Sequence, residues 1–469
     1  MQFAKQNMTK IKNTLKITRQ DEQGSIKLLL KIALPLIITT SSQSIMQFVD
    51  RMFLAWYSPD ALAACLPAGL MSFALISLFM GTCGYTSVFI ATYYGQKRYA
   101  SLSVALWQGV ILGIISGLII AALTPLGSHI IMASNHDSAV KILEKQYFFI
   151  LCFFGGFAVV NNALAGFFTG QGKTAITMVA NLIGNVINII LNYGLIFGKW
   201  GLPEMGIKGA AWATVIGGFC VTIIFLSIIF SPKINKKFKI GRLFGFNKMA
   251  FFRLIRYGIP NGFGFFMDIF SFSVFAFFTG NIDKISLAAS NIVLTLQSIS
   301  FMPLLGLAIS GQILMGQYIG KKQPEYGIKS AYNALKLGAV YLTFIVCTFL
   351  FFSDFWLGLF AGADVGPQMT EIIKRAKPLL YMLCVFVWGD LIFLCFGDAI
   401  RGAGDTKFHM KAMVFCSILL VIGSYVIVDI LNLGIKAAWG WIIFYAWISG
   451  FIMLWRFLSG RWRNIDITK

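Results

Sequence analysis

Long apolar runs separated by short polar segments follow one another along almost the whole chain. A run of about 20 residues spans a bilayer as a helix, and twelve runs reach that length. The second and the eighth are longer and contain Gly or Pro, but no charged residue divides either, so each is predicted to form one long or bent helix. The runs lie approximately at residues 30–55, 61–94, 101–123, 146–169, 175–198, 207–230, 254–279, 285–318, 329–352, 377–400, 408–430 and 435–458. The pattern predicts an all-α polytopic membrane protein with twelve transmembrane helices.

The composition agrees with a chain embedded in a membrane. Of the 469 residues, 58% are hydrophobic and 12% are charged, which is about half the charged share of an ordinary soluble domain. A water-soluble fold of this size needs more polar residues to cover its surface, which excludes a soluble enzyme, a nucleic-acid-binding protein and a disordered chain. The net charge of +21 comes from basic residues in short gaps between apolar runs, so it indicates contact with the membrane surface.

The basic residues are distributed unevenly between the two sides of the membrane. Most of the 39 Lys and Arg residues fall in alternate loops on one side, together with both ends of the chain. Because positively charged loops stay on the cytoplasmic side, both termini are predicted to be cytoplasmic, in a multi-pass protein of the cell's inner (plasma) membrane. The first 27 residues are basic and polar and lack an apolar stretch followed by a cleavage site, so no signal peptide is expected.

The second half of the chain repeats the first. The loop GQGKT at 170–174 matches GAGDT at 402–406. Each half holds six predicted helices, an even number, so the two halves enter the membrane in the same orientation. Internal repeats are common in secondary transporters, where the substrate path lies between the repeats. Further positions recur at an offset of 225 residues, namely Pro35 as Pro260, Gly81 as Gly306 and Gly95 as Gly320.

The repeat divides the chain into five predicted segments. The basic linker between the halves is expected to be solvated and to contact lipid headgroups. The segments are a cytoplasmic amino-terminal segment (1–27), an N-lobe of six helices (28–230), a cytoplasmic basic linker (231–253), a C-lobe of six helices (254–458) and a cytoplasmic tail (459–469).

Acidic residues at membrane depth are the main functional signal. They are Asp50 in the first run, Asp268 in the seventh and Asp390 in the tenth. A carboxylate there costs at least ~2–3 kcal/mol, so it must face a cavity, pair with a cation or be protonated. Asp268 and Asp390 are predicted to lie about 18 Å and about 16 Å from the basic ends of their helices, and this similar depth makes them candidates for a shared cation site. Asp398 is nearer the cytoplasmic edge of the membrane and is expected to be solvated or to act as a cap near Arg401.

Two interpretations of Asp50 stay open on the sequence alone. Arg51 follows it directly, so one interpretation is a local ion pair near the outer interface. The other is a carboxylate that faces the interior of the lobe. It is favoured because consecutive residues of a helix do not face each other.

Asparagines give the second polar signal. Asn188 and Asn192 share one face of the fifth helix with Asn181 and Asn185. Two interpretations explain this face: a wet cavity lined by neutral amides, or hydrogen bonding between helices without a role in transport. The predicted N-lobe polar cavity comprises Asn161, Asn162, Asn188, Asn192 and Thr214.

Two glycine-rich loops contain Gly170 and Gly172 in one half and Gly402 and Gly404 in the other. They lack the GxxxxGK[ST] spacing of a phosphate-binding loop, and no strand is predicted before them. They are therefore predicted to end helices. The eight cysteines and three histidines are dispersed without metal-ligand spacing, so no metal site built from them is expected.

These motifs, in this order, resemble the MATE (multidrug and toxic compound extrusion) family, and most closely its bacterial NorM-type branch. Asp50 follows Pro35 in the first helix as in the family, although VDR stands where the family usually has VDT. Pro260 is followed after seven residues by Asp268, an Asp in place of the more usual Glu. Asp390 precedes an RGAGDT loop as the family's acid does. The stretches NIILNYGLIFG and GLPEMGIKGAAWAT also resemble the branch.

The resemblance implies two parallel-repeat six-helix bundles around a central cleft, with cation coupling through Asp50, Asp268 and Asp390. It implies a secondary active transporter, not an enzyme, that exports hydrophobic, often cationic, drugs and toxic compounds in exchange for Na⁺ or H⁺. No cofactor is expected, and no metal apart from Na⁺ at Asp268 and Asp390. The expected partners are small-molecule substrates and the lipid bilayer, without nucleic acid, and the chain is expected to be a monomer.

Two alternative functions are weighed against this expectation. A lipid-linked oligosaccharide flippase of the same wider superfamily tends to have fourteen helices and cationic residues in its cavity, whereas this chain has twelve predicted helices and acids at membrane depth. A membrane-embedded enzyme or receptor needs a clustered nucleophile or metal set, or a large domain outside the membrane, and the sequence displays neither.

Overall fold

The computed structural model describes residues 24–133, 137–360 and 367–468. The predicted amino-terminal segment therefore lies outside the described residues up to position 23. Within the described residues, twelve helices are long and apolar enough to cross a membrane, which confirms the predicted number. They are α1 (Ile26–Tyr57), α2 (Pro59–Gly95), α3 (Tyr99–Met132), α4 (Ser138–Gly170), α5 (Thr174–Phe197), α6 (Ile207–Ile229), α7 (Lys248–Ile282), α8 (Lys284–Gly320), α9 (Pro324–Phe351), α10 (Pro367–Gly402), α11 (Thr406–Tyr425) and α12 (Gly434–Leu458).

Two helices begin before their apolar runs, because a polar side chain caps the first turn of each. The Ser25 side chain accepts a hydrogen bond from the Leu28 amide at 3.2 Å and begins α1. The Asn247 side chain does the same for Ala250 at 2.9 Å, so α7 begins inside the predicted linker. Each of these bonds satisfies an amide that the first turn of a helix leaves without a partner.

Glycine ends two equivalent helices. α4 ends at Gly170 and α10 at Gly402. Two residues later, Gly172 has φ 77° and Gly404 has φ 100°, a left-handed backbone that glycine adopts without steric cost. We call the end of the molecule that carries these two loops, with the loops 96–98 and 321–323, the basic end.

Close contacts between the halves occur in pairs related by the 225-residue offset. Gly95 of α2 lies against the Gln317 carbonyl of α8, and Gly320 of α8 lies against the Thr92 carbonyl of α2. A Cβ at either glycine would overlap that carbonyl oxygen. Because both contacting pairs obey one offset, α2 and α8 meet across an approximate two-fold axis at the basic end.

A second contact pair extends this symmetry to the first helix of each half. Gly81 of α2 packs on Gly262 of α7, and Gly306 of α8 packs on Ile37 of α1. All four positions again follow the 225-residue offset. The structure therefore confirms the parallel repeat, with α1 equivalent to α7 and α2 equivalent to α8.

The first helix of each half starts in the opposite lobe. Leu29 and Ile32 of α1 belong to the hydrophobic cluster formed mainly by the C-lobe, whereas Phe251 and Leu254 of α7 belong to the cluster formed mainly by the N-lobe. The Gly24 amide donates a hydrogen bond to the Tyr318 hydroxyl at 2.8 Å. We call this arrangement the helix exchange. The predicted segments assign α1 to the N-lobe and α7 to the C-lobe, and the start of each helix packs on the other half.

A capping carboxylate lies in the turn between α7 and α8. Asp283 accepts hydrogen bonds from the Ser286 amide and hydroxyl, both at 2.8 Å, and forms an ion pair with Arg375 at 2.7 Å. Burial alone would raise the pKa of the Asp283 carboxyl, but the Ser286 hydrogen bonds and the Arg375 charge outweigh it and hold the pKa below its usual value. The ionised form therefore stabilises the folded state.

Replacing Asp283 with Ala is expected to lower the free energy of unfolding by about 1 kcal/mol at neutral pH. A carboxyl whose pKa is lower in the folded state binds fewer protons there, so its contribution is present above the unfolded pKa of about 4 and disappears as pH falls through the folded pKa. Thermal unfolding of the purified protein at pH 7 and in acid measures this change. Asp283→Asn retains the cap without the charge and serves as the control, and a pH-independent difference between wild type and Asp283→Ala would contradict the assignment.

Candidate functional site

The N-lobe contains a chain of polar side chains that begins at Asp50. Asp50 lies on α1, is 7% exposed, and accepts a hydrogen bond from Asn192 Nδ2 of α5. Asn192 Nδ2 also approaches Asn188 Oδ1 at 3.3 Å, and Asn188 Nδ2 donates to Thr214 Oγ1 of α6 at 3.2 Å. Three helices thus meet at one buried carboxylate, because Asn188 and Asn192 are four residues apart on one helix face.

Asp50 and Arg51 lie in different environments. Asp50 is buried against α5, whereas Arg51 is exposed. The surface ion pair weighed from the sequence requires the carboxylate to be exposed beside Arg51. The geometry therefore favours the interior interpretation of Asp50.

The remaining asparagines bind other partners. Asn161 Nδ2 of α4 donates to the Gly218 carbonyl of α6 at 2.7 Å, and Asn161 Oδ1 accepts from Thr222 at 2.7 Å. Asn162 Oδ1 lies against Gly84. Of the five residues predicted to line the N-lobe cavity, the structure brings Asn188, Asn192 and Thr214 together with Asp50, while Asn161 and Asn162 join α4 to its neighbouring helices.

The C-lobe holds the other two predicted acids on facing helices. Asp268 of α7 is half-buried, and Asp390 of α10 is 8% exposed. Their charges act on each other, and the Arg401 charge acts on Asp268. The Tyr445 hydroxyl of α12 is within electrostatic range of both carboxylates. These groups lie together inside the bundle, where Arg401 is also paired with a third acid, Asp398.

Asp398 is fully buried and forms an ion pair with Arg401. The expectation of a solvated Asp398 is wrong, although its closeness to Arg401 agrees with the sequence. Tyr85 of the N-lobe covers this end of α10 and donates a hydrogen bond to the Arg401 carbonyl at 2.9 Å. The depth of Asp398 along its own helix does not predict its burial, because Tyr85 comes from the other half of the chain.

His409 is a buried residue of the C-lobe that sequence reasoning did not select. It lies on α11 at 3% exposure and packs beside Gly264 and Gly397. Its Nδ1 has no hydrogen-bond partner in the described part of the chain. Its position after the GAGDT loop suggests a loop residue. The two glycines on facing helices, which leave room for a ring, were the available signal.

Comparison with protein families gives one match that covers both halves. The family model described as MatE matches residues 35–194 and 260–426. A probable multidrug resistance protein NorM from Thermotoga maritima is 27% identical over 451 residues, covering 93% of each chain. The protein of the same description from Bacillus licheniformis is 25% identical over 416 residues, covering 87% of this chain and 90% of its own.

Solved structures share the fold at lower identity. A MOP superfamily transporter from Pyrococcus furiosus, described as having a binding pocket of reverse polarity that suggests a different function, superposes with a TM-score of 0.84 at 20% identity. That match covers 95% of this chain and 97% of the other. An outward-facing multidrug resistance MATE family transporter gives a TM-score of 0.84 at 19% identity, with 93% and 96% covered. The arrangement of all twelve helices is therefore one that known transporters adopt.

Proposed function

The chain belongs to the MatE family, and from this premise we propose that it is a secondary active transporter that exports hydrophobic, often cationic, drugs and toxic compounds in exchange for Na⁺ or H⁺. The match to both halves supports the proposal, as do the relatives described as multidrug resistance proteins. In this proposal the protein is a monomer in the inner (plasma) membrane with both termini cytoplasmic. Substrates bind in the cleft between the lobes.

The polar chain at Asp50 is the observation that carries the coupling proposal. Among the residues that the structure describes, no donor reaches the buried Asn192 Oδ1, and the same amide contacts the buried Asp50 carboxylate. A buried acceptor without a partner and a buried carboxylate are both costly. A proton or Na⁺ bound at Asp50 removes this cost, and a cationic substrate competes for the same negative charge, which produces exchange.

Asp268 and Asp390 form the second proposed coupling site. Two carboxylates whose charges act on each other repel when both are ionised, and either a shared Na⁺ or one proton relieves that repulsion. Arg401 is paired with the buried Asp398. The bound cation in this proposal is therefore held by Asp268 and Asp390 together.

Dye transport in reconstituted vesicles tests the proposed exchange. The purified protein is inserted into vesicles, and accumulation of a cationic dye is driven separately by a Na⁺ gradient and by a pH gradient. We expect accumulation with at least one gradient and its collapse when an ionophore dissipates that gradient. Dye that moves with neither gradient, together with gradient-independent movement of a lipid-linked oligosaccharide in the same vesicles, would favour the flippase alternative.

Asp268→Asn and Asp390→Asn are each expected to reduce gradient-driven dye transport by roughly tenfold or more. Asparagine has nearly the size of the acid but carries no charge to hold a cation. Asp354→Asn is the matched control, because Asp354 makes an exposed ion pair with Lys377 and such pairs contribute little. Initial rates at equal amounts of inserted protein measure the effect, and unchanged rates in both variants would remove the C-lobe from the coupling mechanism.

A further inference from the structure

A small cavity lies at the basic end, outside the cleft and the coupling acids. Its volume is about 240 Å³, smaller than the pockets that typically hold drug-sized ligands. Residues from the end of α2, the start of α3 and the start of α7 line it. The cavity therefore lies where the linker enters the C-lobe and contacts the N-lobe.

Two guanidinium groups meet at one tyrosine in this cavity. Arg253 Nη1 donates a hydrogen bond to the Tyr93 hydroxyl at 3.3 Å, and the Arg98 guanidinium lies 5.8 Å from the centre of the Tyr93 ring. Within the described residues, the ion pairs that the structure contains do not involve Arg98 or Arg253. Two positive charges thus line a concave site whose described lining contains no carboxylate.

The rest of the lining separates into a polar and an apolar part. Ser101 and Asn247 add a hydroxyl and an amide beside the arginines. Ser101 lies in the first turn of α3, whose N-cap residue makes no side-chain capping bond, and the start of a helix favours an anion. The apolar part of the lining includes Phe89, Val104, Ala105, Met249 and Leu254.

We propose that this cavity binds the phosphate group of an anionic phospholipid headgroup, with the first carbons of the lipid against its apolar wall. Arginine binds phosphate oxygens through two parallel N–H donors. Basic pockets between membrane helices on the cytoplasmic side take lipid headgroups. An inorganic phosphate ion shares the charge and the oxygens, but it leaves the apolar wall unoccupied, so the lining favours the lipid.

Such a ligand would hold the start of α7 on the N-lobe, where the helix exchange places it. Arg98 and Ser101 belong to the N-lobe, whereas Arg253 belongs to the first helix of the C-lobe. A phosphate held by both arginines therefore holds α7 against α3 at the basic end. The inference concerns a site separate from the coupling acids and does not depend on the proposed exchange.

Lipid titration of the full-length protein tests the proposal. The delipidated protein in neutral detergent is titrated with phosphatidylglycerol, and in separate arms with phosphatidylcholine and with inorganic phosphate, and bound ligand is counted by native mass spectrometry. We expect saturable binding of phosphatidylglycerol that Arg98→Gln/Arg253→Gln weakens about tenfold or more. Arg98→Gln alone, at an exposed position, is expected to give part of that loss.

Lys233→Gln/Lys236→Gln is the matched control, because it removes the same charge from exposed positions of the linker outside the cavity lining. We expect it to retain the wild-type affinity. Equal weakening in the two double variants would overturn the site in favour of diffuse attraction to the linker. Displacement of the lipid by millimolar inorganic phosphate would overturn the lipid assignment in favour of the free ion, and equal binding to all variants would overturn the proposal.

Discussion

Asp50→Asn is expected to reduce gradient-driven efflux to the level of vesicles without protein while leaving the protein folded and inserted. Asparagine retains the size of Asp50 and its contact with Asn192, but it cannot alternate between a charged and a neutral form. A cation then loses its charge partner, and exchange loses its coupling. The measurement is the initial rate of dye efflux at equal membrane abundance.

Asp60→Asn is the control for this variant, because Asp60 lies exposed in the first turn of α2. It undergoes the same chemical change and is expected to transport normally. Efflux near the wild-type rate in Asp50→Asn would instead show that this buried carboxylate has no part in coupling. It would leave coupling to Asp268 and Asp390.

Gly95→Ala is expected to reduce efflux at least tenfold by preventing closure at the basic end. The added methyl group overlaps the Gln317 carbonyl oxygen, and a backbone carbonyl within a helix cannot move aside as a flexible side chain can. α2 and α8 then cannot reach the spacing seen in the structure, and the alternation of the cleft between the two sides of the membrane stops. The two-fold symmetry predicts the same loss for Gly320→Ala, measured as efflux at equal abundance.

Gly440→Ala is the matched control, because a Cβ at this α12 position meets nothing within 4 Å. It makes the same helical Gly-to-Ala change, which by itself stabilises a helix by roughly 1 kcal/mol. We expect wild-type efflux in this control. If Gly95→Ala and Gly320→Ala transport as well as the control does, the α2–α8 contact is not required in the transport cycle.

The number of helices and their repeat could be predicted from the sequence because both depend on short stretches of neighbouring residues. An apolar run of sufficient length specifies a membrane helix, and residues such as Gly95 and Gly320 recur because equivalent positions meet the same packing restraint. The positions of the helix ends are harder to predict from the sequence. They depend on single capping side chains such as Ser25 and Asn247, which extend a helix past its apolar run.

The candidate site could be predicted only where its residues share a helix face. Asn188 and Asn192 indicated a polar face, and that face lies beside Asp50. The partner of Asn161 and the N-lobe tyrosine that contacts Arg401 come from distant segments. Amphipathic pattern does not specify which helix packs against which, so these contacts, like the helix exchange, appear only in the folded chain.

The helix exchange also sets the order in which the protein is completed during synthesis. α1 leaves the ribosome first, yet Gly24 at its start bonds to Tyr318, 294 residues later in the chain. At ~5–20 residues per second, α1 waits roughly fifteen seconds to a minute for this partner. The start of α1 therefore completes its packing only after α8 has been made, and a truncated product that ends before α8 leaves Leu29 and Ile32 without the cluster that they join.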